Sequence, residues 1–114
     1  ADPSFAGPHP ALLTTVDAAG FPSSRSVVPR RYAEDLSWLA LQTRASSAKV
    51  AEMRANPHVS LTWQDQRGRQ GWLCLKGLAE FDERKTLDAA GNIEVSVRVG
   101  ELRAVSYNEG LLRG

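Results

Sequence analysis

Three short runs lie between Pro10 and Thr43: the first is rich in Leu, Thr and Val, the second mixes polar and apolar residues, and the third alternates between two faces. Because successive side chains of a β-strand point to opposite faces and these residue types favour strands, the runs predict strands. Two clusters of turn-forming residues, 18–20 and 33–35, interrupt the pattern. The close spacing of the resulting runs predicts an antiparallel meander. We predict that its three strands cover residues 11–17, 22–32 and 37–43.

The period of the pattern changes after Ala45. Val50, Met53 and Arg54 fall on one stripe of a helix. Ser47 stands before that stripe, where serine is a favoured N-cap, and Asn56-Pro57 is a stop signal. The sequence therefore predicts one helix, over residues 46–56.

Alternation returns in the second half of the chain and predicts three further strands, over residues 58–64, 71–81 and 93–107. In the last of them Ile93, Val95, Val97 and Val99 share one face. About six strands in neighbouring hairpins, with one helix, predict a mainly β protein that forms a small antiparallel barrel or a curled sheet. We predict a single domain over residues 1–114, with 1–9 as an irregular lead-in and 108–114 as a tail.

Composition excludes several classes of function. Fourteen Lys and Arg residues against thirteen Asp and Glu residues give a net charge of +1, which provides no strong field for nucleic acid or an anionic membrane. The single cysteine, Cys74, excludes an intrachain disulfide and a zinc site built from cysteines. No apolar run has the length of a membrane span, and no signal peptide is visible. We expect a small cytoplasmic domain that binds no nucleic acid, membrane or metal.

Candidate chemistry is concentrated where the third predicted strand leads into the helix. The segment 42–49 contains Ser46, Ser47 and Lys49 beside the first helical residues. Free N–H groups at a helix start, serine hydroxyls and a lysine in the first turn together form a site of the size and charge that bind a phosphate group. The alternative is an ordinary helix cap with a solvated lysine.

A second basic cluster, which consists of Arg25, Arg30 and Arg31, lies on the second predicted strand. Arg25 lies between serines, and its burial would require a partner. Its guanidinium could bind the same anion as Ser47 and Lys49, because a guanidinium matches phosphate geometry with two hydrogen bonds. The alternative is that Arg25 is an exposed strand residue.

Four segments resemble a known family and occur in that family's order. They are Leu13-Thr14-Thr15-Val16 with the Gly20 turn, residues 22–28, residues 43–49 leading to 56–61, and residues 75–80. In combination they resemble the pyridoxamine 5′-phosphate oxidase-like, FMN-binding split-barrel superfamily, and most closely its small general-stress-protein branch. The resemblance implies a six-stranded antiparallel split barrel that forms a homodimer, with FMN in the groove between the subunits.

The resemblance also implies which residues hold the cofactor. Arg25 and Lys49 match basic residues that hold the flavin phosphate, and Ser47 lies beside them. Arg30 replaces a lysine that helps to bind pyridoxal phosphate in the oxidases, so Arg30 is a weak candidate for substrate contact. The other positions matched to the cofactor site are Ser26, Val27, Val28, Gln42, Thr43, Trp72 and Tyr107.

The chain departs from the oxidases at two places. Ala48 stands where the oxidases have another basic phosphate contact, and residues 82–92 are too few for the insertion that grips pyridoxal phosphate. We therefore predict a flavin-dependent oxidoreductase that transfers a hydride or electrons through FMN to or from a small molecule, and not a true pyridoxamine phosphate oxidase. No catalytic residue is identified.

Three alternatives to this prediction stay open. The protein could be a non-catalytic flavin-binding protein of the stress response. It could be a split barrel that uses a deazaflavin or haem in place of FMN. It could also be a cofactor-free interaction module in which Arg25, Ser47 and Lys49 are only solvated polar residues.

Overall fold

The computed structural model describes residues 10–65, 71–82 and 91–106. The predicted lead-in, the tail and Tyr107 lie outside the described residues. The elements in chain order are β1 (Ala11–Val16), β2 (Pro22–Val27), β3 (Arg31–Tyr32), β4 (Trp38–Arg44), α1 (Ala48–Ala55), β5 (His58–Asp65), β6 (Gly71–Phe81) and β7 (Asn92–Ser106).

The strands form one antiparallel sheet in the order β2-β1-β5-β6-β7-β4-β3. The prediction of a mainly β fold with one helix is confirmed, and the sheet is open, as in a split barrel. The predicted number of six strands is one too low, because the run 22–32 divides into β2 and β3. Pro29 lies between these two strands and has no N–H to donate to a strand ladder.

The core lies on the inner face of the curled sheet, where α1 covers it. Val50 and Met53, on the predicted helical stripe, are buried there, and each contributes about 1.5–3 kcal/mol by leaving water. The helix ends as predicted: the N–H of Asn56 closes the last turn on Glu52, and the Pro57 carbonyl accepts a hydrogen bond from β6. In the described ranges no helix is long and apolar enough to cross a bilayer.

The predicted alternation in β7 holds until a β-bulge interrupts it. Ile93, Val95 and Val97 are buried, and Val99 packs against the same core. Opposite them on β6, Lys76 pairs with Glu101 whereas Gly77 pairs with Val99, so Gly100 has no partner position. The extra residue shifts the register and lets the long strand bend around the core.

The turn between β3 and β4 places Arg30 and Arg31 beside the middle of β4. Leu36 adopts a left-handed backbone with φ 60° and packs against the core. Ser37 closes the turn by donating a hydrogen bond to the carboxylate of Asp35 over 3.0 Å. Hydrogen bonds from the hydroxyl and the backbone N–H of Ser37 lower the pKa of Asp35. The pairing that results places Arg31 opposite Ala40.

Substitution of Gly77 tests the close approach of β6 to β7 beside the bulge. A Cβ atom at this position would collide with the carbonyl group of Arg98, so backbone would have to move. We expect Gly77→Ala to lower the free energy of unfolding by about 1–3 kcal/mol, measured by urea denaturation at fixed protein concentration.

Gly100→Ala is the matched control for Gly77→Ala. A Cβ atom at Gly100 would lie 3.9 Å from the carbonyl oxygen of Lys76, which is ordinary contact. We expect this variant to change the free energy of unfolding by less than about 0.5 kcal/mol. Equal losses from the two variants would contradict the proposed close packing at Gly77.

Candidate functional site

The first turn of α1 has the properties of an anion site. Ser47 occupies the N-cap position with an extended backbone, but its hydroxyl makes no capping hydrogen bond. Its Oγ atom is buried and has no hydrogen-bond partner among the described residues. The first N–H groups of a helix have no acceptor within the helix and carry partial positive charge. A phosphate oxygen at this point would satisfy the hydroxyl and these N–H groups, and half-buried Lys49 would add a full positive charge.

Arg25 extends from the inner face of β2 into a polar cluster that links β2 and β1 to α1. Its Nη1 atom donates to Thr15 Oγ1 over 2.8 Å and to the Leu13 carbonyl over 3.4 Å. Its Nη2 atom donates to Ser23 Oγ over 3.2 Å and to Glu52 Oε1 over 3.4 Å. Thr15, which is fully buried, donates its own hydroxyl proton to Glu52 Oε1 over 2.5 Å. We call Thr15, Ser23, Arg25 and Glu52 the Arg25 cluster.

The Arg25 cluster rules out the interpretation of Arg25 as an exposed strand residue. The side chains of Arg25 and Glu52 are only 25% and 20% exposed. Glu52 lies five residues after Ser47 on the same helix, which is about 8 Å along the helix axis. Arg25 therefore lies near the helix that carries Ser47 and Lys49. An anion site shared by these three residues requires this proximity.

Glu52 was not among the residues predicted for the site. The sequence does contain a weak signal for it, since an arginine between serines on a strand needs a partner if it is buried. The chain offers thirteen carboxylate side chains, however, and nothing in the local pattern selects Glu52. Only the packing of α1 against β1 and β2 makes this selection.

A second polar cluster lies at a cavity of about 220 Å³ lined by Arg30, Arg31, Gln42 and Glu94. Nη1 of Arg30 donates to Oε1 of Gln42 over 2.7 Å. Nη2 of Arg31 donates to both carboxylate oxygens of Glu94, over 2.8 and 2.9 Å, and its guanidinium lies 5.6 Å from the ring centre of Trp38. Glu94 balances the charge of Arg31, whereas Arg30 forms no ion pair within the described ranges. The cavity therefore has the charge to attract an anionic group.

The remaining predicted residues lie in three separate regions, on β2, β4 and β6. Ser26 and Val28 are exposed and Val27 packs against the core, all at the end of β2. Thr43 is half-buried at the end of β4. Trp72 is half-buried on β6, with β1 and β5 between it and β2, so about 14 Å of sheet separates the two strands. Within one chain, the fold does not bring Trp72 to the Arg25 cluster.

The outer face of the sheet carries a shallow groove of about 480 Å³, which we call the outer groove. Four polar residues cross it in one row, each directly opposite the next on neighbouring strands: Thr14, Ser60, Lys76 and Glu101. Val16 and Leu78 add apolar surface to its lining. The groove is absent from the sequence predictions, because only the register of four strands aligns these residues.

Comparison with known proteins places the chain among related sequences and structures. The family model described as pyridoxamine 5′-phosphate oxidase matches residues 2–106. No curated protein sequence matches the chain.

Several solved structures share the fold at low sequence identity. The chain is similar to a pyridoxamine 5′-phosphate oxidase-related, FMN-binding protein from Nostoc punctiforme PCC 73102, with 17% identity and a TM-score of 0.73 over 97% of this chain and 78% of that one. It is similar to general stress protein 26 from Bacillus anthracis str. Sterne, with 16% identity and a TM-score of 0.69 over 86% and 84% of the two chains. It is also similar to an F420 reductase, with 21% identity and a TM-score of 0.69 over 84% and 90%.

Substitution of Thr15 tests whether the Arg25 cluster holds β1, β2 and α1 together. Thr15→Val keeps the shape of the side chain but removes a hydroxyl that serves both Arg25 and Glu52. We expect a loss of about 1–3 kcal/mol in the free energy of unfolding, because two partly buried charged groups lose a hydrogen-bond partner. Chemical denaturation measures this loss.

The neighbouring Thr14→Val is the control for Thr15→Val. Thr14 is on the opposite face of β1, where its hydroxyl lies 2.7 Å from the Ser24 hydroxyl at an exposed position. We expect its substitution to change stability by less than about 0.5 kcal/mol. If Thr15→Val is as mild as Thr14→Val, the cluster does not hold the fold together.

Proposed function

The chain belongs to the pyridoxamine 5′-phosphate oxidase family, and on that basis we propose that it is a flavin-binding split-barrel protein that acts as an oxidoreductase. The observation that carries the proposal is the buried hydroxyl of Ser47 at the start of α1, which has no hydrogen-bond partner in the part of the chain that the structure describes. FMN, when bound, would supply hydride or electron transfer, while the protein supplies binding and orientation. The absence of an assigned general acid or base is compatible with such chemistry.

The residues present at α1 fit the phosphate end of FMN. Ser47 and the first N–H groups of the helix would bind phosphate oxygens, and Lys49 and Arg25 would balance their charge. The exposed end of β2, with Ser26 and Val28, would lie along the flavin ring. The similar structure from Nostoc punctiforme is described as FMN-binding, which supports FMN as the cofactor.

The flavin ring would also contact residues from other strands. Gln42 and Thr43 lie at the end of β4, which leads directly into the start of α1, and they are proposed to line the ring from the same subunit. Trp72 would contact it from the second subunit, because β1 and β5 separate it from β2 within one chain. Tyr107 is proposed to join Trp72 there.

Oxidation of pyridoxamine phosphate itself is not the proposed activity. Residues 82–91 alone connect β6 to β7, which leaves no room for an insertion that would grip pyridoxal phosphate. Ala48 also provides no charge at the first helical position. The cavity beside Arg30 would instead accept the anionic group of a different small substrate. The half-buried thiol of Cys74 is compatible with action in the reducing cytoplasm.

A second candidate cofactor is a deazaflavin, because the chain is also similar to an F420 reductase. Titration of the purified protein with FMN, F420 and haem, followed by visible absorbance, would distinguish these cofactors.

Reduction of the bound flavin by a nicotinamide donor, with turnover, would favour an enzyme. Tight binding without turnover would favour a non-catalytic flavin-binding protein of the stress response, to which general stress protein 26 points.

We further propose that two copies of the chain pair through the outer groove, so that each completes the cofactor site of the other. Lys76 and Glu101 lie on this face with opposite charges, which allows a symmetric second copy to pair them across the interface. Small side chains at Thr14 and Ser60 would let the two sheets approach closely. The half-buried Trp72 on β6 would then reach the partner's cofactor.

Lys49→Ala tests the phosphate site. Loss of a charge-assisted hydrogen bond of about 1–3 kcal/mol should raise the Kd for FMN about 5- to 150-fold, measured by quenching of flavin fluorescence. The Kd for riboflavin, which lacks the phosphate, should stay within about twofold. Arg98→Ala removes an exposed charge on β7 and serves as the control. An unchanged Kd for FMN would exclude Lys49 from the site.

Ser60→Arg tests the proposed dimer. A long charged side chain at the floor of the outer groove should prevent the sheets from meeting, so sedimentation equilibrium should give the mass of one chain. The unmodified protein should give the mass of two. Ala18→Arg, in the exposed turn after β1, should leave the dimer intact. A wild-type monomer that still binds FMN would contradict the shared site.

A further inference from the structure

Both terminal nitrogens of the Arg25 guanidinium already have internal partners. Nη1 and Nη2 carry four N–H groups in total, and the structure offers them four acceptors: the Leu13 carbonyl, the Thr15 and Ser23 hydroxyls and the Glu52 carboxylate. Glu52 alone among these partners carries a charge. An anion at the start of α1 would therefore compete with Glu52 for Arg25.

We propose that Glu52 is the internal counter-ion that Arg25 exchanges for the phosphate group of the bound cofactor. In the absence of an anion, Arg25 pairs with Glu52; when a phosphate group occupies the start of α1, the guanidinium turns towards it. No covalent bond changes in this step. The proposal rests on the proposed function, because it assigns Glu52 a role in setting the affinity of the same phosphate site.

The distances within the Arg25 cluster favour such an exchange. The Arg25–Glu52 contact of 3.4 Å is longer than the 2.7–2.9 Å typical of a charge-assisted hydrogen bond. The Glu52 carboxylate has a shorter bond, of 2.5 Å, from the Thr15 hydroxyl, which would remain after Arg25 has turned away. Both charged side chains are also partly open to water, at 25% and 20% exposure, so neither would be stranded without solvation.

A phosphate group is the stronger partner for Arg25. It offers more negative charge than one carboxylate and presents several oxygens to the guanidinium fork. Lys49 and the start of α1 would bind the same group, so the exchange would add Arg25 to a site that is already positive. Glu52 thus lowers the affinity for phosphate by occupying Arg25, and its removal should raise that affinity.

Glu52→Gln is the informative variant. Glutamine keeps an oxygen acceptor for Thr15 and Arg25 but removes the charge that competes with phosphate. We expect the Kd for FMN to fall about fivefold or more, and the Kd for riboflavin to change less than about twofold. Glu80→Gln removes an exposed carboxylate that pairs with Arg98 on β7, and it should leave both dissociation constants unchanged.

A double-mutant cycle with Arg25→Met separates exchange from simple repulsion. Arg25→Met alone should raise the Kd for FMN at least tenfold. In that background, Glu52→Gln should improve FMN binding only about twofold. The effect that remains is the repulsion between the Glu52 carboxylate and the phosphate group, two screened charges about 8 Å apart. Thermal unfolding confirms that each variant is folded, and Arg25→Gln, which also removes the charge, replaces Arg25→Met if the latter is not.

Three results would overturn the exchange. The first is an affinity for FMN that is unchanged or weaker in Glu52→Gln. The second is an equal gain in FMN affinity from Glu52→Gln with and without Arg25. The third is an unchanged Kd for FMN in Arg25→Met. Failure of the proposed function looks different, because the wild-type protein would then bind neither FMN nor riboflavin, and the exchange would fall with it. A gain that affects FMN alone and depends on Arg25 supports the proposal.

Discussion

The packing of α1 against the first hairpin is the contact on which the candidate site depends. Val50 and Met53 anchor one face of the helix in the core, and Glu52 connects the helix to Thr15 on β1 and Arg25 on β2. The apolar contacts supply most of the stabilisation, because burial of each side chain contributes more than a partly exposed ion pair. The polar contacts determine how the helix is oriented, because hydrogen bonds need defined distances and angles.

The same helix therefore has a structural role and, in the proposed function, a binding role. Its buried stripe closes one side of the curled sheet, and its first turn presents Ser47 and Lys49. The hydroxyl of Ser47 is buried and has no hydrogen-bond partner within residues 10–65, 71–82 and 91–106, which is costly in a native protein unless a ligand or water satisfies it. Stability and binding are thus coupled through eight residues of helix.

The fold shared with the similar structures is compatible with more than one cofactor. The comparison chains include an FMN-binding protein and an F420 reductase at 17% and 21% identity, so the sheet and helix persist while most side chains differ. The chemistry must then be set by the polar residues that line the site. In this chain, the candidates for such residues form two charged clusters, one around Arg25 and one around Arg30, with the exposed end of β2 between them in the sequence.

Local pattern in the sequence determined the elements and the part of the site that lies within one element. The strand runs and the helical stripe of Val50 and Met53 identified the elements. Ser47 and Lys49 could be predicted together because both belong to the first turn of α1. Local pattern did not divide the run 22–32 at Pro29, nor did it place the bulge at Gly77. Both depend on which backbone groups find partners on a neighbouring strand. Tertiary structure alone decided the partners of the two arginines. The pairing of β3 with β4 brought Arg30 to Gln42, and Arg25 met Glu52 only because the sheet curls around the helix, which places a strand and a helix that are distant along the chain side by side.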